Sequence, residues 1–310
     1  MVFAARAVKK PSKKSSLLSN LAWAGPFLVL LGGCTPSPPA TPRDLHQADS
    51  AYVVPWEQFE VYLKAAPSPV QVALWLREEK VGFYRDPLHD PTLAGRYSGL
   101  QGAANLGIYL TDMAYAHATK QYQPAYEYLT AVNRLASRYS LEDIFSPERI
   151  KALDALQDRP DSVQRLMAQY YGEIQERLTE TGQQAMLRHM ILGGWLESLH
   201  LTLQILEREP QKSSLSDVVL LQKSLVPLLL KLYAADTAHS EASRRIFGHL
   251  SALQATLETL PIQESQARPQ TTVSQNRIQI EFGQKVKLTP DKIQEVRSQL
   301  LPLRNFIIQT

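Results

Sequence analysis

Two segments of this 310-residue chain are apolar around most of a helical circumference, and they constrain the fold more than any other feature. They are GAANLGIYLTDMAYA at 102–116 and MLRHMILGGWLESLHLTLQIL at 186–206. A helix without a polar face has to be enclosed by other helices. The two segments therefore predict a pair of central helices inside a larger helical array.

The rest of the chain after Pro67 is also patterned mainly for helices, because apolar residues recur at helical spacing. Some starts are recognisable: Ser146 stands in the capping position before Pro147, which suits the first helical turn. The predicted helices span 69–80, 97–119, 123–139, 146–157, 160–181, 183–208, 214–235 and 238–260. Short connections favour antiparallel neighbours. The predicted fold class is all-α, either a multi-helix bundle or a helical-hairpin superhelix.

Near the C-terminus the periodicity changes from helical to alternating. Residues 277–282 and 285–288 alternate between apolar and polar side chains, and Gly283-Gln284 could form a two-residue turn between them. This pattern predicts a small C-terminal β-hairpin. A last helix is expected to begin after Thr289 and to extend to about Ile308.

The only cysteine, Cys34, follows Leu-Gly-Gly at the end of an apolar stretch, and five basic residues precede that stretch. Ser19, Asn20 and Pro26 interrupt it, and it is too short for a membrane-spanning helix of about 20 residues. This order of segments is typical of a bacterial lipoprotein signal peptide. We expect cleavage before Cys34 and acylation of its thiol and new amine, since stable anchoring needs more than one lipid chain.

The signal peptide sets the expected domain organisation. The predicted parts are a signal peptide at 1–33, a Pro-rich tether at 34–55, a helical domain at 56–262, and a C-terminal segment with hairpin and final helix at 263–310. The first 33 residues contain five of the 33 basic residues and none of the 30 acidic ones, so the mature chain has two more acidic than basic residues. Nucleic-acid binding is therefore not expected.

Five sequence segments occur in a fixed order from Pro67 onwards. They are PSPVQVALWLREEKVGFYRDPLHDP, NLGIYLTDMAYA, QPAYEYLTAVNRLASRYSL, GGWLESLHL and KLTPDKIQEVRSQLLPLRNFII. Together they resemble a group of uncharacterised helical lipoproteins of Bacteroidota. The resemblance implies a helical lipoprotein of unknown activity, and it brings no catalytic residues to this chain.

A polar stripe runs along the first central segment, where Ser98, Asn105, Asp112 and Thr119 recur every seven residues. A buried carboxylate is costly unless it is paired, so Asp112 predicts a polar partner. Three interpretations remain open. The stripe could face solvent, Asp112 could bond a helix N-terminus or an arginine such as Arg134, or the stripe could line a pocket.

The second central segment contains Glu197 and His200 at i and i+3, an arrangement used in di-iron helical bundles. Such a site needs a second Glu-x-x-His pair and two further glutamates, and the chain has no second pair. We therefore predict no metal and no cofactor, and expect Glu197 to orient His200 or to bond a neighbouring helix. The candidate buried polar or ligand-lining residues are Asn105, Asp112, Glu197 and His200.

The familiar catalytic motifs are absent from the sequence: it has no Gly-x-Ser-x-Gly elbow, Walker loop or His-Glu-x-x-His. The tyrosines of the helices, among them Tyr122 and Tyr126, are expected to be half-buried packing residues. The preferred function is a structural or interaction module of the cell envelope. The alternative is a small-ligand-binding lipoprotein with a pocket between the two central helices, and an enzyme is the third class.

The expected partners are a membrane, contacted through the lipid on Cys34, and an envelope protein. Thr35 follows the cysteine, where an aspartate retains enterobacterial lipoproteins in the inner membrane. By that analogy the expected location is the outer membrane.

Overall fold

The computed structural model describes residues 68–156, 159–264, 270–274, 277–281 and 284–309. Cys34 and the segments assigned to the signal peptide and tether lie outside these residues. Within the described ranges, none of the helices combines the length and hydropathy needed to cross a membrane.

Nine α-helices make up most of the described chain, and the all-α prediction is confirmed. They are α1 (Pro69–Glu78), α2 (Gly99–Ala118), α3 (Tyr122–Ala136), α4 (Pro147–Asp154), α5 (Pro160–Glu180), α6 (Gln184–Arg208), α7 (Leu215–Ala234), α8 (Glu241–Glu258) and α9 (Pro290–Ile308). Short 3₁₀ helices form at Pro91–Arg96 and Ser137–Tyr139. The predicted boundaries of the helices up to α8 differ from the observed ones by at most about three residues, the usual uncertainty at helix ends.

Three of the helices begin with the same local signal. A Ser or Thr side chain accepts a hydrogen bond from a backbone N–H of the first turn, and a proline follows it directly. Ser68 caps α1 in this way, Ser146 caps α4 and Thr289 caps α9. The cap satisfies one of the N–H groups that a helix start leaves unpaired, and proline loses nothing there because its missing N–H would have had no partner.

The central pair, α2 and α6, is packed with its backbones in contact. A Cβ built on Gly193 would lie 2.7 Å from the carbonyl carbon of Ala104 and would overlap its oxygen. A Cβ built on Gly107 would lie 2.7 Å from the backbone nitrogen of Gly194 and would overlap the carbonyl oxygen of Met190. Only glycine fits at Gly107 and Gly193 without moving the helices apart, so the crossing depends on both.

Four short strands follow α8: β1 (Ile262–Glu264), β2 (Gln270–Ser274), β3 (Arg277–Glu281) and β4 (Gln284–Val286). They pair antiparallel as β2 with β3 and as β1 with β4. The predicted C-terminal hairpin is confirmed, but its predicted turn is wrong, because the 277–281 strand pairs with the segment before it. The register places Val273 opposite Ile278.

The final helix is part of the main hydrophobic core. Leu300, Leu303 and Ile307 of α9 are buried in the same cluster as residues of α2 and α6. The C-terminal segment therefore shares its core with the helices that precede residue 262.

Candidate functional site

The structure buries all four candidate polar residues in the centre of the bundle. Asn105, Asp112 and Glu197 are 0% exposed and His200 is 3% exposed. A solvent-facing edge is therefore the wrong interpretation for the middle of the α2 polar stripe. The stripe approaches the surface only at its two ends, at Ser98, which is exposed, and at Thr119, which is partly exposed.

The partner of Glu197 is Arg304 of α9, which sequence reasoning missed. Arg304 Nε donates to one carboxylate oxygen of Glu197 at 2.7 Å, and Nη2 donates to the other at 2.8 Å. Nη2 also donates to the carbonyl oxygen of Pro87 at 3.2 Å. This bidentate geometry is the strong form of a charge-assisted pair, and it joins the last helix to the central one.

Asp112 lies beside this ion pair. Its Oδ2 accepts a hydrogen bond from the backbone N–H of His89 at 3.1 Å, while Oδ1 has no N–H or O–H donor next to it. Burial raises the pKa of Asp112 well above its usual range, and the negative charge of Glu197 raises it further. A proton on Asp112 allows its carboxyl group to donate a hydrogen bond to Glu197, so the two carboxyls of α2 and α6 converge as a neutral acid and a carboxylate.

Glu197 takes the opposite charge state. Burial by itself would raise the pKa of Glu197, but the charge and hydrogen bonds of Arg304 outweigh burial and hold the pKa below its ordinary value. The two carboxyls thus differ because only Glu197 contacts the guanidinium directly. Their environments assign the charge to Glu197 and the proton to Asp112.

His89 was also missed, since it lies in the irregular segment before α2. Its Nε2 is 2.8 Å from the hydroxyl of Tyr97, and that hydroxyl donates to the carbonyl oxygen of Ile308 at 2.8 Å. The hydroxyl must therefore accept from His89, which places the imidazole proton on Nε2. His89 also stacks on Tyr109, with ring centroids 5.1 Å apart.

Asn105 and His200 complete the arrangement with bonds to backbone carbonyls. Asn105 Nδ2 donates to Gln101 and Ile307 oxygens, each at 3.0 Å, and His200 Nε2 lies 3.2 Å from the oxygen of Pro87. We call the following residues the core polar cluster: His89, Asn105, Asp112, Glu197, His200 and Arg304. Arg134, considered as a partner for Asp112, is exposed on α3.

The core polar cluster is closed to solvent, and its hydrogen bonds join separate helices of the fold. Its bonds connect α2 and α6 to α9 and to the segment around Pro87. Three cavities in the described part of the chain have no member of the cluster in their walls. Among the described residues, no group of three or more histidine, aspartate or glutamate side chains is placed to hold a metal ion. The hydrogen bonds of the cluster thus cross-link the helices.

Comparisons with protein-family models, with curated proteins and with solved structures gave no match. The function is therefore inferred from the residues and geometry of this chain.

Four histidines make the folded state sensitive to acid. Burial lowers the pKa of His89, His117 and His200 to about 4 and that of His189 to about 3. In the unfolded chain these histidines bind a proton near pH 6.5, whereas in the folded chain their imidazoles stay neutral until the pH reaches the lower pKa. The contribution of these neutral histidines to the free energy of unfolding is thus fully present above about pH 6.5. It is lost as the pH falls, by about 1.4 kcal/mol per pH unit for each histidine. The raised pKa of Asp112 acts in the opposite direction, because it favours proton binding by the folded chain.

Urea unfolding between about pH 7 and pH 5 measures this dependence, because most carboxylates stay ionised in that range. Replacing His189 with glutamine is expected to reduce the slope of the unfolding free energy against pH by the contribution of one histidine, about 1.4 kcal/mol per pH unit. A free energy of unfolding that stays constant or increases on acidification would contradict the neutral state of these histidines.

Proposed function

We propose that this chain is a lipid-anchored protein of the bacterial cell envelope, whose helical domain serves as a structural or interaction module without catalytic activity. The observation that carries the proposal is the single cysteine, Cys34, directly after Leu-Gly-Gly and an apolar stretch with a cationic start. The resemblance to helical lipoproteins of Bacteroidota agrees with it. The Pro-rich tether at 34–55 would hold the domain away from the membrane.

The core polar cluster supports a non-catalytic module. A catalytic acid or base has to reach its substrate, usually within a concave site. Asp112 and Glu197 are instead enclosed in the core, and their polar contacts are made with other residues of the chain. Burial and the charge of Glu197 explain the raised pKa of Asp112, and Arg304 explains the lowered pKa of Glu197, without any ligand.

The alternative of a ligand pocket between the two central helices gains no support from the geometry. Gly107 and Gly193 bring the α2 and α6 backbones into contact, which leaves no space at their crossing. The polar residues suggested for such a pocket bond to α9 and to the Pro87 segment instead.

The outer membrane remains the proposed location, because Thr35 and not aspartate follows the lipidated cysteine. An envelope protein is the proposed partner of the helical domain. Both proposals depend on lipidation, so lipidation is the property to test first.

Replacing Cys34 with serine is expected to abolish incorporation of radiolabelled palmitate in a bacterial host, because the serine hydroxyl does not form the thioether that carries the diacylglycerol. The variant should also leave the membrane fraction or persist as the uncleaved precursor. Thr35→Ser is the matched control, since it changes the neighbouring residue conservatively and should keep both the label and the fractionation. A Cys34→Ser protein that still takes up palmitate and sediments with membranes would refute the anchor.

A further inference from the structure

A surface cavity of about 250 Å³ opens between α2, α3, α4 and α5, away from the core polar cluster. Its walls include Met113 and His117 of α2, Tyr122 and Tyr126 of α3, and Met167 of α5. None of its lining residues is an acid, a lysine or an arginine. We call it the His117 cavity. It is mainly apolar and has few polar groups, which is the usual composition of a small-molecule site.

Two tyrosines at this cavity, Tyr122 and Tyr126, are more exposed than the other tyrosines of the helices, which are buried. Tyr122 is 38% exposed and Tyr126 is 53% exposed, and within the described ranges they are the large hydrophobic side chains that remain exposed. Both lie in the wall of the same cavity. Exposed aromatic rings that meet at one cavity indicate a binding surface more than chance placement does.

His117 is one of the few polar residues in the wall, besides Gln123 and the two tyrosines, and the hydrogen-bonding capacity of its ring is unused. Both ring nitrogens are buried and have no partner. Burial, together with the charge of Arg77, lowers the pKa of His117 to about 4. The imidazole is therefore neutral near pH 7 and offers one N–H donor and one lone-pair acceptor.

A half-turn of the His117 ring would turn its nitrogens towards the cavity. Because both nitrogens are inaccessible in the present orientation, the part of the side chain that borders the cavity is carbon. A half-turn about the Cβ–Cγ bond exchanges ring nitrogens with ring carbons, and the two orientations differ mainly in hydrogen bonding. No hydrogen bond is lost in the exchange, since neither nitrogen has one. A polar ligand in the cavity would favour the turned ring.

We propose that the His117 cavity binds a small neutral aromatic molecule that carries a hydroxyl group. An apolar cavity of about 150 Å³ accommodates benzene, so about 250 Å³ leaves room for one substituted ring. The tyrosine rings and the sulfur atoms of Met113 and Met167 make favourable contacts with an aromatic ring. A hydroxyl both donates and accepts, so it suits a neutral imidazole. The cavity wall contains no charged side chain to pair with a carboxylate or an ammonium. This site is independent of the proposed envelope role.

The probe for this proposal is p-cresol, and p-xylene is its counterpart of the same shape without the hydroxyl. Calorimetric titration of the full-length protein is expected to show saturable binding of p-cresol and weaker binding of p-xylene. His117→Phe keeps a ring in the wall but removes both nitrogens, so p-cresol should bind about tenfold more weakly while p-xylene is unaffected. The matched control is His249→Phe, a partly exposed histidine on α8 beside Phe306, which should change neither affinity.

Three results would overturn the proposal. The first is no saturable binding of p-cresol, and the second is equal affinity for p-cresol and p-xylene. The third is tighter binding of N-acetyltyrosinamide than of p-cresol, because a preference for the peptide backbone groups would assign the cavity to a tyrosine side chain of a partner protein and not to a free small molecule. If His117→Phe does not fold, Tyr126→Ala replaces it, because Tyr126 is exposed and its loss disturbs only the cavity wall. Unchanged p-cresol affinity in Tyr126→Ala would also count against the site.

Discussion

Replacing Gly193 with alanine is expected to lower the free energy of unfolding by about 3 kcal/mol or more. The added methyl group would overlap the backbone carbonyl of Ala104, and backbone cannot swing aside as a flexible side chain does. The two central helices would have to separate along their contact, which loosens the packing of residues far from the substitution. Gly107→Ala is expected to have a similar effect, because its methyl group would meet the carbonyl oxygen of Met190.

Glycines elsewhere in the same bundle provide matched controls. Gly172 in α5 and Gly248 in α8 are exposed, and a Cβ at either position would meet no atom within 4 Å. Alanine at these positions is expected to raise the free energy of unfolding by about 0.5–1 kcal/mol, because glycine is a poor helix former. Urea unfolding of the four variants tests the contrast. Equal effects of Gly193→Ala and Gly248→Ala would show that the central helices do not touch as described.

The helices and the central pair could be predicted because their signals are local. Apolar residues at helical spacing and Ser-Pro starts fix where helices form, and a segment apolar on all sides has to be enclosed. The close packing of the α2 and α6 backbones also has a signal in the sequence. Leu-Gly-Ile-Tyr-Leu at 106–110 and Leu-Gly-Gly-Trp-Leu at 192–196 place glycines in apolar surroundings, and the structure brings these two strings together.

The partners of the buried carboxylates could not be predicted, because they come from distant parts of the chain. Glu197 and Arg304 are 107 positions apart, and neither periodicity nor local spacing connects them. One signal was present: Arg304 stands next to Leu303 and between Leu300 and Ile307, on the apolar side of the last helix. A basic residue on an apolar face predicts a buried acid elsewhere, although it does not say which one.

The strand pairing was wrong for a related physical reason. An alternating segment predicts a strand, but its partner is decided by register and by the connection available on each side. The alternating pattern predicts pairing of 277–282 with the segment after it, through a turn at Gly283-Gln284. In the structure, Arg277–Glu281 pairs with Gln270–Ser274, the segment before it. The His117 cavity escaped prediction because residues from four helices form its wall.

Arg304→Met is expected to lower the free energy of unfolding by about 3–5 kcal/mol, because it leaves Glu197 in the core without its cation. The double variant Glu197→Met, Arg304→Met should be more stable than Arg304→Met alone, since apolar side chains need no partner. Arg244→Met is the surface control. Arg244 pairs with Glu241 on α8, where both side chains are largely exposed. Its loss should therefore change the free energy of unfolding by less than about 1 kcal/mol.

The pH dependence of Arg304→Met separates loss of charge compensation from loss of packing. Without the guanidinium, Asp112 and Glu197 would share a buried site with no cation, and the pKa of Glu197 should rise above its unfolded value. A group with a raised pKa contributes stability at low pH that is lost as the pH rises through the folded value. The difference in unfolding free energy between the variant and the natural protein should therefore be smaller at about pH 5 than at about pH 7. A difference that is the same at both pH values would mean that Arg304 acts by packing alone, and that Glu197 does not depend on it for its charge.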